Sequence, residues 1–326
     1  MSGNFSKILQ GHHLDSQVPH ALYVVDLTVN AVCSITATVL NILVIVALRK
    51  IPLVQVHSVF KAFLFNLALA DLAVGALVQP AYISSVLTAM YGFPDASRIL
   101  GTMFYLGNWF FSNISVSFLT LIAIDRFLAL HRQRQYRRIV TYKRVVSALA
   151  FLWILKCVET FVLIYDYRLY NIGSSIVLVI FVTIITACYL RIYLTLRRHE
   201  KTVRGPSDFS LQNVQGTDRP GETSSTRTPN SFSLMRYKRS VYDMLCLYLA
   251  FLFCYIPPLC VLIAIQVQGV DSITYMVRFV GGTLTWVNAS LNPLLYFWRI
   301  RVIRRTVWTT VRGLFCTEVN TTPAEN

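Results

Sequence analysis

Charged side chains occur inside stretches of this sequence that are otherwise apolar. Asp71 lies in LFNLALADLAVGALVQP, Lys156 and Glu159 lie three residues apart in another stretch, and Asp125-Arg126 stands at the end of a third. A carboxylate in the middle of a membrane costs roughly 2.5–3.5 kcal/mol. Asp71 is therefore either an ion or proton site or a protonated side chain in a helix contact. Lys156 and Glu159 are either a self-neutralising pair that faces other helices or a contact for a ligand or a polar group.

A row of small polar side chains follows one apolar stretch. Asn108, Ser112 and Ser115 recur at spacings of four and three, which places them on one helix face. A polar face on an apolar helix points into a bundle rather than toward lipid. At this depth Ser115 could meet Asp71. Asn41, a single amide in the first apolar stretch, is expected to face protein for the same reason.

The elements that must position these side chains are membrane-spanning helices. With 55% hydrophobic residues, 14% charged residues and a mean hydropathy of +0.54, a soluble globular chain is excluded. A spanning helix needs ~20 mostly apolar residues. Seven stretches qualify, and the fold class predicted is an all-α membrane protein with a seven-transmembrane helix bundle. The stretches are roughly 21–48, 58–89, 98–130, 145–165, 172–196, 241–267 and 273–298.

The remaining segments complete the predicted organisation. Residues 1–20 form an extracellular tail, 21–298 the seven-helix domain, and 299–326 a cytoplasmic tail that begins with an amphipathic helix. Residues 201–235 are rich in Gly, Ser, Thr and Pro and are predicted to be a disordered third cytoplasmic loop. Pro80 should kink the second span, and Pro257 and Pro258 should bend the sixth. The second outer connection, roughly 166–173, is very short.

The charge distribution predicts the orientation. The net charge is +15, but only Lys7, Arg98, Arg168 and Arg278 fall on the outer side when the N-terminus is placed outside. Apart from Lys156, the other Lys and Arg residues fall at or beyond inner helix ends, which is the positive-inside bias. The chain is therefore predicted to be a multi-pass protein of the plasma membrane with a cytoplasmic C-terminus. The basic surplus favours contact with membrane lipid and not with nucleic acid.

Two modification sites are predicted. Asn4 begins the sequon Asn-Phe-Ser on the outer side and is a candidate for glycosylation. Cys316 follows the basic amphipathic helix and is a candidate for palmitoylation, with a free thiol as the alternative. None of the seven cysteines lies in a predicted outer loop, so no extracellular disulfide is expected.

Taken in order along the chain, several motifs resemble those of rhodopsin-like (class A) G-protein-coupled receptors. The resemblance covers the whole membrane portion, and each motif falls on the expected span. The matches are Asn41, Asn66-Leu67 with Asp71, Asp125-Arg126-Phe127, Trp153, Tyr189, Phe251, Cys254 to Pro257 and Asn292-Pro293-Leu-Leu-Tyr296.

The resemblance implies a mechanism. It implies an allosteric sodium site at Asp71, Ser115, Asn288 and Asn292, with no other cofactor. It also implies that an extracellular ligand shifts the bundle toward a state in which the sixth helix swings outward and admits a heterotrimeric G protein. The residues implied in this switch are Asp125, Arg126, Tyr189, Phe251, Pro257, Pro293 and Tyr296.

Several positions depart from the family pattern. Gly101 replaces the disulfide cysteine of the third helix, Phe181 the fifth-helix proline and Tyr255 the toggle tryptophan. Asn108 replaces the aspartate of amine receptors, and Trp286 stands where opsins carry the retinal lysine. These departures, with the short second outer loop, partly resemble the melanocortin, cannabinoid and lysophospholipid branch.

The ligand class stays open. Aromatic walls with a few amides suit a small or amphipathic, weakly charged ligand, whereas Glu159 and Arg278 could select a charged one. The predicted cavity residues are Tyr105, Asn108, Trp109, Ser112, Glu159, Tyr255, Arg278 and Trp286. No enzymatic chemistry is predicted. An ion-coupled secondary transporter or channel is the alternative function, although no internal repeat divides the seven spans.

Overall fold

The computed structural model describes residues 19–52, 57–132, 135–165, 167–204, 245–246, 248–260, 263 and 272–316. Within 163–171, 199–204, 271–280 and 314–316 it describes at most the backbone. No strand occurs in these ranges. The helices are α1 His20–Lys50, α2 Ser58–Met90, α3 Pro94–His131, α4 Tyr142–Tyr165, α5 Tyr167–Arg204, α6 Tyr248–Cys260, α7 Ser272–Arg299 and α8 Arg301–Cys316. A single short turn of helix, Tyr136–Ile139, lies between α3 and α4.

Five of these helices, α1 to α5, are long and apolar enough to cross a membrane. The described part of α6 is apolar but shorter, and α7 is 28 residues long, which exceeds the length that a span needs. The all-helical prediction is therefore confirmed for the described residues.

Two predicted loop boundaries are wrong. Residues 167–173, predicted as part of an outer connection, belong to α5, so one residue separates α4 from α5. Residues 201–204, predicted to begin the disordered loop, are the last four residues of α5. Both stretches lack apolar periodicity, and a helix that continues beyond the membrane does not need it. The rest of the predicted loop, 205–235, lies outside the described residues.

The disturbance in α2 lies one turn before the proline that was expected to cause it. Residues Val74–Val78 form a π-helical turn, and Pro80 follows two residues after its end. Proline lacks the N–H that the carbonyl of Gly75 would otherwise accept in such a turn. The Ser34 hydroxyl of α1 donates to that carbonyl instead, at 2.7 Å. The freed backbone group thus becomes a contact between α1 and α2.

Gly75 also sets how closely α1 and α2 approach. A Cβ atom at this position would lie 2.8 Å from the Ala37 Cβ and 2.9 Å from the Thr38 backbone nitrogen. Both contacts are shorter than atoms of these types tolerate. Small residues commonly permit this kind of helix packing in membranes.

Gly75→Ala should therefore destabilise the bundle by about 1–3 kcal/mol, because the helices must separate. Thermal unfolding of the purified protein measures the effect. Gly173→Ala is the matched control, since no atom of the described residues lies within 4 Å of a Cβ there and alanine favours a helix. Equal stability of the two variants would contradict the close approach.

The buried side chains form two clusters along the bundle. The larger one joins residues of α1 to α7 with Ile303 of α8. The smaller one contains Tyr82, Phe104 and Trp286, whose rings lie 4.8–5.3 Å apart and join α2, α3 and α7. The predicted amphipathic helix is confirmed as α8, which buries Ile303 and exposes Arg301, Arg304, Arg305 and Arg312.

Candidate functional site

A buried carboxylate joins three spanning helices at the centre of the bundle. Asp71 of α2 is 1% exposed. The Ser115 hydroxyl of α3 donates to Asp71 Oδ1 at 3.3 Å, and Asn292 Nδ2 of α7 donates to Asp71 Oδ2 at 2.8 Å. The structure thus brings together three of the four residues predicted for the sodium site.

The fourth residue, Asn288, is also buried. Its Oδ1 atom and that of Asn292 have no hydrogen-bond partner among the described residues. Buried oxygen atoms without a donor are costly, and a hard cation takes carboxylate, hydroxyl and amide oxygens as ligands. These side chains therefore have the chemistry that a sodium ion needs. Asn41 faces protein as predicted, because its Nδ2 donates to the Ala289 carbonyl of α7 at 3.1 Å.

The first half of α3 carries four of the eight residues predicted for the ligand cavity. Asn108 Oδ1 accepts hydrogen bonds from Trp286 Nε1 at 2.7 Å and from the Ser112 hydroxyl at 3.3 Å. Tyr105 and Trp109 stack edge to face with centroids 6.1 Å apart, and both are half-buried. Trp286 is itself buried, so its indole serves the packing of α2, α3 and α7 as well as facing Asn108.

Other predicted cavity residues lie on α4, α6 and α7. Tyr255 is buried on α6, where its ring stacks on Phe251 at 4.4 Å between centroids. Glu159 of α4 pairs with Lys156 instead of standing alone. The side chain of Arg278 lies outside the described part of the chain.

Lys156 and Glu159 form an ion pair with a distance of 2.6 Å between Nζ and Oε2. The Lys156 side chain is 2% exposed and that of Glu159 is 32% exposed. The Lys156 ammonium also lies 5.7 Å from the centre of the Phe181 ring of α5. The pair therefore lies where α4 contacts α5. This agrees with the first of the two predicted alternatives, a self-neutralising pair that faces other helices.

At the inner end of α3, a buried carboxylate holds the neighbouring arginine. Asp125 accepts hydrogen bonds from the Arg126 guanidinium and from the Tyr136 hydroxyl, the latter at 2.6 Å. The Arg126 guanidinium also lies 5.1 Å from the centre of the Phe60 ring. Sequence reasoning missed Tyr136, which lies on the short helical turn after α3.

The two phenols predicted to take part in switching lie on different helices. The Tyr189 ring of α5 stacks on the Tyr248 ring of α6 at 5.3 Å. Tyr248 in turn hydrogen-bonds Thr186, so α5 and α6 are joined at this level. Tyr296 of α7 is 1% exposed, and its hydroxyl has no partner among the described residues.

A further polar cluster escaped sequence reasoning. Asp26 of α1 accepts hydrogen bonds from the Tyr82 hydroxyl of α2 at 2.8 Å and from the Thr283 hydroxyl of α7. Asn30 lies one turn along α1 and contacts Thr283 at 3.4 Å. The spacing of Asp26 and Asn30 by four, in an otherwise apolar stretch, was the available signal.

Long apolar helices around a buried polar centre define a multi-pass membrane protein. The model of the 7 transmembrane receptor (rhodopsin family) matches residues 40–168 and 156–296 of this chain. The chain therefore belongs to the rhodopsin-like family of G-protein-coupled receptors, and its fold is a seven-transmembrane helix bundle. Members of this family are receptors and not enzymes, with an extracellular ligand and a G protein as partners.

Curated relatives carry several different names. Adenosine receptor A3 of Ovis aries is 26% identical over 308 residues, which covers 86% of this chain and 87% of the relative. Octopamine receptor beta-1R of Drosophila melanogaster is 25% identical, covering 84% of this chain and 59% of the relative. Cannabinoid receptor type 1B of Takifugu rubripes is 24% identical, covering 59% and 43%.

Proposed function

We propose that this receptor binds an extracellular ligand in the outer half of the bundle and activates a heterotrimeric G protein through an outward swing of α6. The observation that carries the proposal is the hydrogen-bonded centre at Asp71, which joins α2, α3 and α7. Above it lies the Asn108–Trp286 contact, and below it the Asp125–Arg126 pair. A ligand that changes the upper contact can thus act on the lower one through shared helices.

The proposed orientation places the N-terminus outside the plasma membrane and the C-terminus in the cytoplasm, as the basic residues predict. Asn4 is then available for glycosylation, and Cys316, the last residue of α8, for palmitoylation at the inner face. Residues 1–20 form the extracellular tail, and 299–326 form the amphipathic helix and cytoplasmic tail. Both modification sites stay predictions, because the described side chains include neither residue.

In the ligand-free state, sodium is proposed to bind Asp71, Ser115, Asn288 and Asn292. Such an ion stabilises the arrangement in which α3 and α7 stay close to α2. Agonist binding and sodium binding then favour different states and oppose each other. The orphaned amide oxygens of Asn288 and Asn292 support this proposal.

The inner switch is proposed to open when Arg126 leaves Asp125. Outward movement of α6 carries Tyr248 away from Tyr189 and lets Tyr189 turn inward. Pro257 and Pro293 lie inside α6 and α7, where a proline allows a helix to bend. The open state also offers the Tyr296 hydroxyl a hydrogen bond. This is favourable because the hydroxyl is buried and has no partner among the described residues in the present state. The opened cleft then accepts a helix of the G protein.

The names of the relatives suggest which classes of ligand to screen. Their names include adenosine, octopamine and cannabinoid receptors, whose ligand classes differ. Asn108 replaces an acid on α3, and its oxygen is already engaged by Trp286 and Ser112, so a nucleoside or a neutral amphipathic molecule fits this level best. We therefore propose that nucleosides and lipids be screened before amines and peptides.

Second-messenger measurements in transfected cells test the proposed function. Asp125→Asn should raise ligand-free signalling several-fold, because Arg126 and Tyr136 lose a charged acceptor. Arg126→Ala should reduce signalling to the background of untransfected cells. Asp95→Asn, which changes an exposed acid in the outer part of α3, is the control. Unchanged signalling in both switch variants, at equal surface expression, would contradict G-protein coupling through this site.

A further inference from the structure

The Asp26 carboxylate is a buried negative charge for which the described residues provide hydroxyl groups but no cation. Asp26 is 7% exposed, and it accepts hydrogen bonds from the Tyr82 hydroxyl of α2, the Thr283 hydroxyl of α7 and the side chain of Asn30. No Lys, Arg or His among the described residues pairs with it. All three donors are neutral, and a carboxylate offers about four lone-pair positions, so its charge is not balanced and one position stays open.

Two amide oxygens in the same cluster have no hydrogen-bond donor. Asn30 and Gln79 are completely buried, and both Asn30 Oδ1 and Gln79 Oε1 are without a partner among the described residues. The Asn30 amide lies in the cluster, because its Nδ2 is 3.4 Å from the Thr283 hydroxyl and its side chain hydrogen-bonds Asp26. A half-turn of this amide exchanges Nδ2 and Oδ1, so that Oδ1 can face a cation at Asp26. Gln79 lies one turn before Tyr82, and its Nε2 is 3.5 Å from the Asn30 carbonyl. Two amide side chains with an unpartnered oxygen, one from α1 and one from α2, thus lie in or beside the cluster.

The chemistry of these groups defines what could bind there. One carboxylate with neutral oxygens suits a hard cation of single charge, or an ammonium group that donates several hydrogen bonds. Among the described residues, no three His, Cys, Asp or Glu side chains lie close enough together to hold a metal ion. The donors at Asp26 therefore do not resemble a transition-metal site. We propose that Asp26, Asn30 and Gln79 form a second cation site, which takes sodium or the primary ammonium group of a bound molecule.

This site is separate from the one at Asp71. The hydrogen-bond partners of the Asp26 carboxylate are Tyr82, Thr283 and Asn30, whereas those of Asp71 are Ser115 and Asn292. Asp26 lies six residues after the start of α1, roughly 9 Å along the helix from its outer end in the proposed orientation. The Tyr82 ring also contacts the Trp286 ring, which brings the cation site next to the proposed ligand cavity. The cation site itself does not depend on sodium binding at Asp71.

Thermal unfolding of the purified receptor in lipid nanodiscs tests the proposal. Unfolding is measured in NaCl, methylammonium chloride and choline chloride at equal ionic strength, because choline has no N–H donor and is too large for a buried site. The Asp71→Asn variant should unfold about 2–5 °C higher in one of the two small cations than in choline. The double variant Asp71→Asn/Asp26→Asn should lose this difference.

The pattern of salts identifies the bound cation. A shift with sodium alone assigns an inorganic ion, and a larger shift with methylammonium assigns the ammonium group of a ligand. Tyr82→Phe in the Asp71→Asn background is the matched control for folding, since it keeps the ring against Trp286 and removes one competing donor. We expect it to keep or enlarge the cation-dependent shift.

Three results would overturn the cation site. One is an Asp71→Asn variant that unfolds at the same temperature in all three salts. Another is a double variant that keeps the full shift. Equal destabilisation of Tyr82→Phe in every salt, with loss of the cation-dependent shift, would also overturn it and leave a cluster that only joins helices. Failure of the Asp71 site gives a different result. In that case the unchanged receptor and the Asp71→Asn variant respond to sodium in the same way.

Discussion

Glu159→Gln should destabilise the receptor by about 3–5 kcal/mol, because it leaves the Lys156 ammonium buried without its partner. Lys156→Met should cost less, since the Glu159 carboxylate it leaves behind is one-third exposed. The double variant Lys156→Met/Glu159→Gln should be more stable than Glu159→Gln alone, because no buried charge remains. Thermal unfolding and the yield of folded receptor measure all three.

The Arg98–Asp95 pair provides a matched control for this cycle. The two residues are likewise three positions apart on one helix, with 3.1 Å between the Arg98 guanidinium and Asp95 Oδ1. However, the Arg98 side chain is 53% exposed and that of Asp95 is 85% exposed. Breaking it with Asp95→Asn should cost about 0–1 kcal/mol, because water screens both charges. Additive losses at Lys156 and Glu159 would show that the two side chains do not stabilise each other.

Asp71→Asn should abolish the effect of sodium on agonist affinity. In the unchanged receptor, raising NaCl at constant ionic strength should lower agonist affinity by about 5- to 100-fold, because sodium and agonist favour opposite states. Ligand-free nucleotide exchange on the G protein should fall in parallel. The substitution removes the charge that the ion needs but keeps a side chain that can contact Ser115 and Asn292.

Choline chloride replaces sodium in the reference measurement, so that screening of surface charges stays constant. Ser115→Ala should weaken the sodium response, since the hydroxyl is a proposed ligand but carries no charge. Asp95→Asn removes a negative charge that is 85% exposed and should leave the response unchanged. An effect of sodium on agonist affinity that persists in Asp71→Asn would remove Asp71 from the proposed ion site.

The centre of the bundle could be predicted from sequence because its residues combine unusual chemistry with regular spacing. A charged or amide side chain is so costly in an apolar helix that it must face protein, which placed Asn41 and Asp71 correctly. The spacing of Ser112 and Ser115 gave the face of α3. The resemblance to a receptor family then indicated which residue of α7 would lie opposite.

The Asp26 cluster could not be predicted in the same way. Its members come from α1, α2 and α7, and none belongs to a motif that the family resemblance covers. Tyr82 and Thr283 are ordinary residues in spanning helices, and only the packing of three helices shows that both hydroxyls reach one carboxylate. The π-helical turn before Pro80 also makes the cluster hard to predict from sequence, because it changes which residues of α2 face α1.

The helix α3 contacts other helices at three levels, through Asn108 to Trp286 of α7, through Ser115 to Asp71 of α2 and through Arg126 to Phe60 of α2. Asn108 and Arg126 are 18 residues apart, which is roughly 27 Å along the helix axis. Turning α3 about its axis would break the contacts at all three levels together. We therefore expect α3 not to rotate during activation. Distances between two spectroscopic labels on α2 and α3 should stay constant, while distances from α3 to a label on α6 should increase.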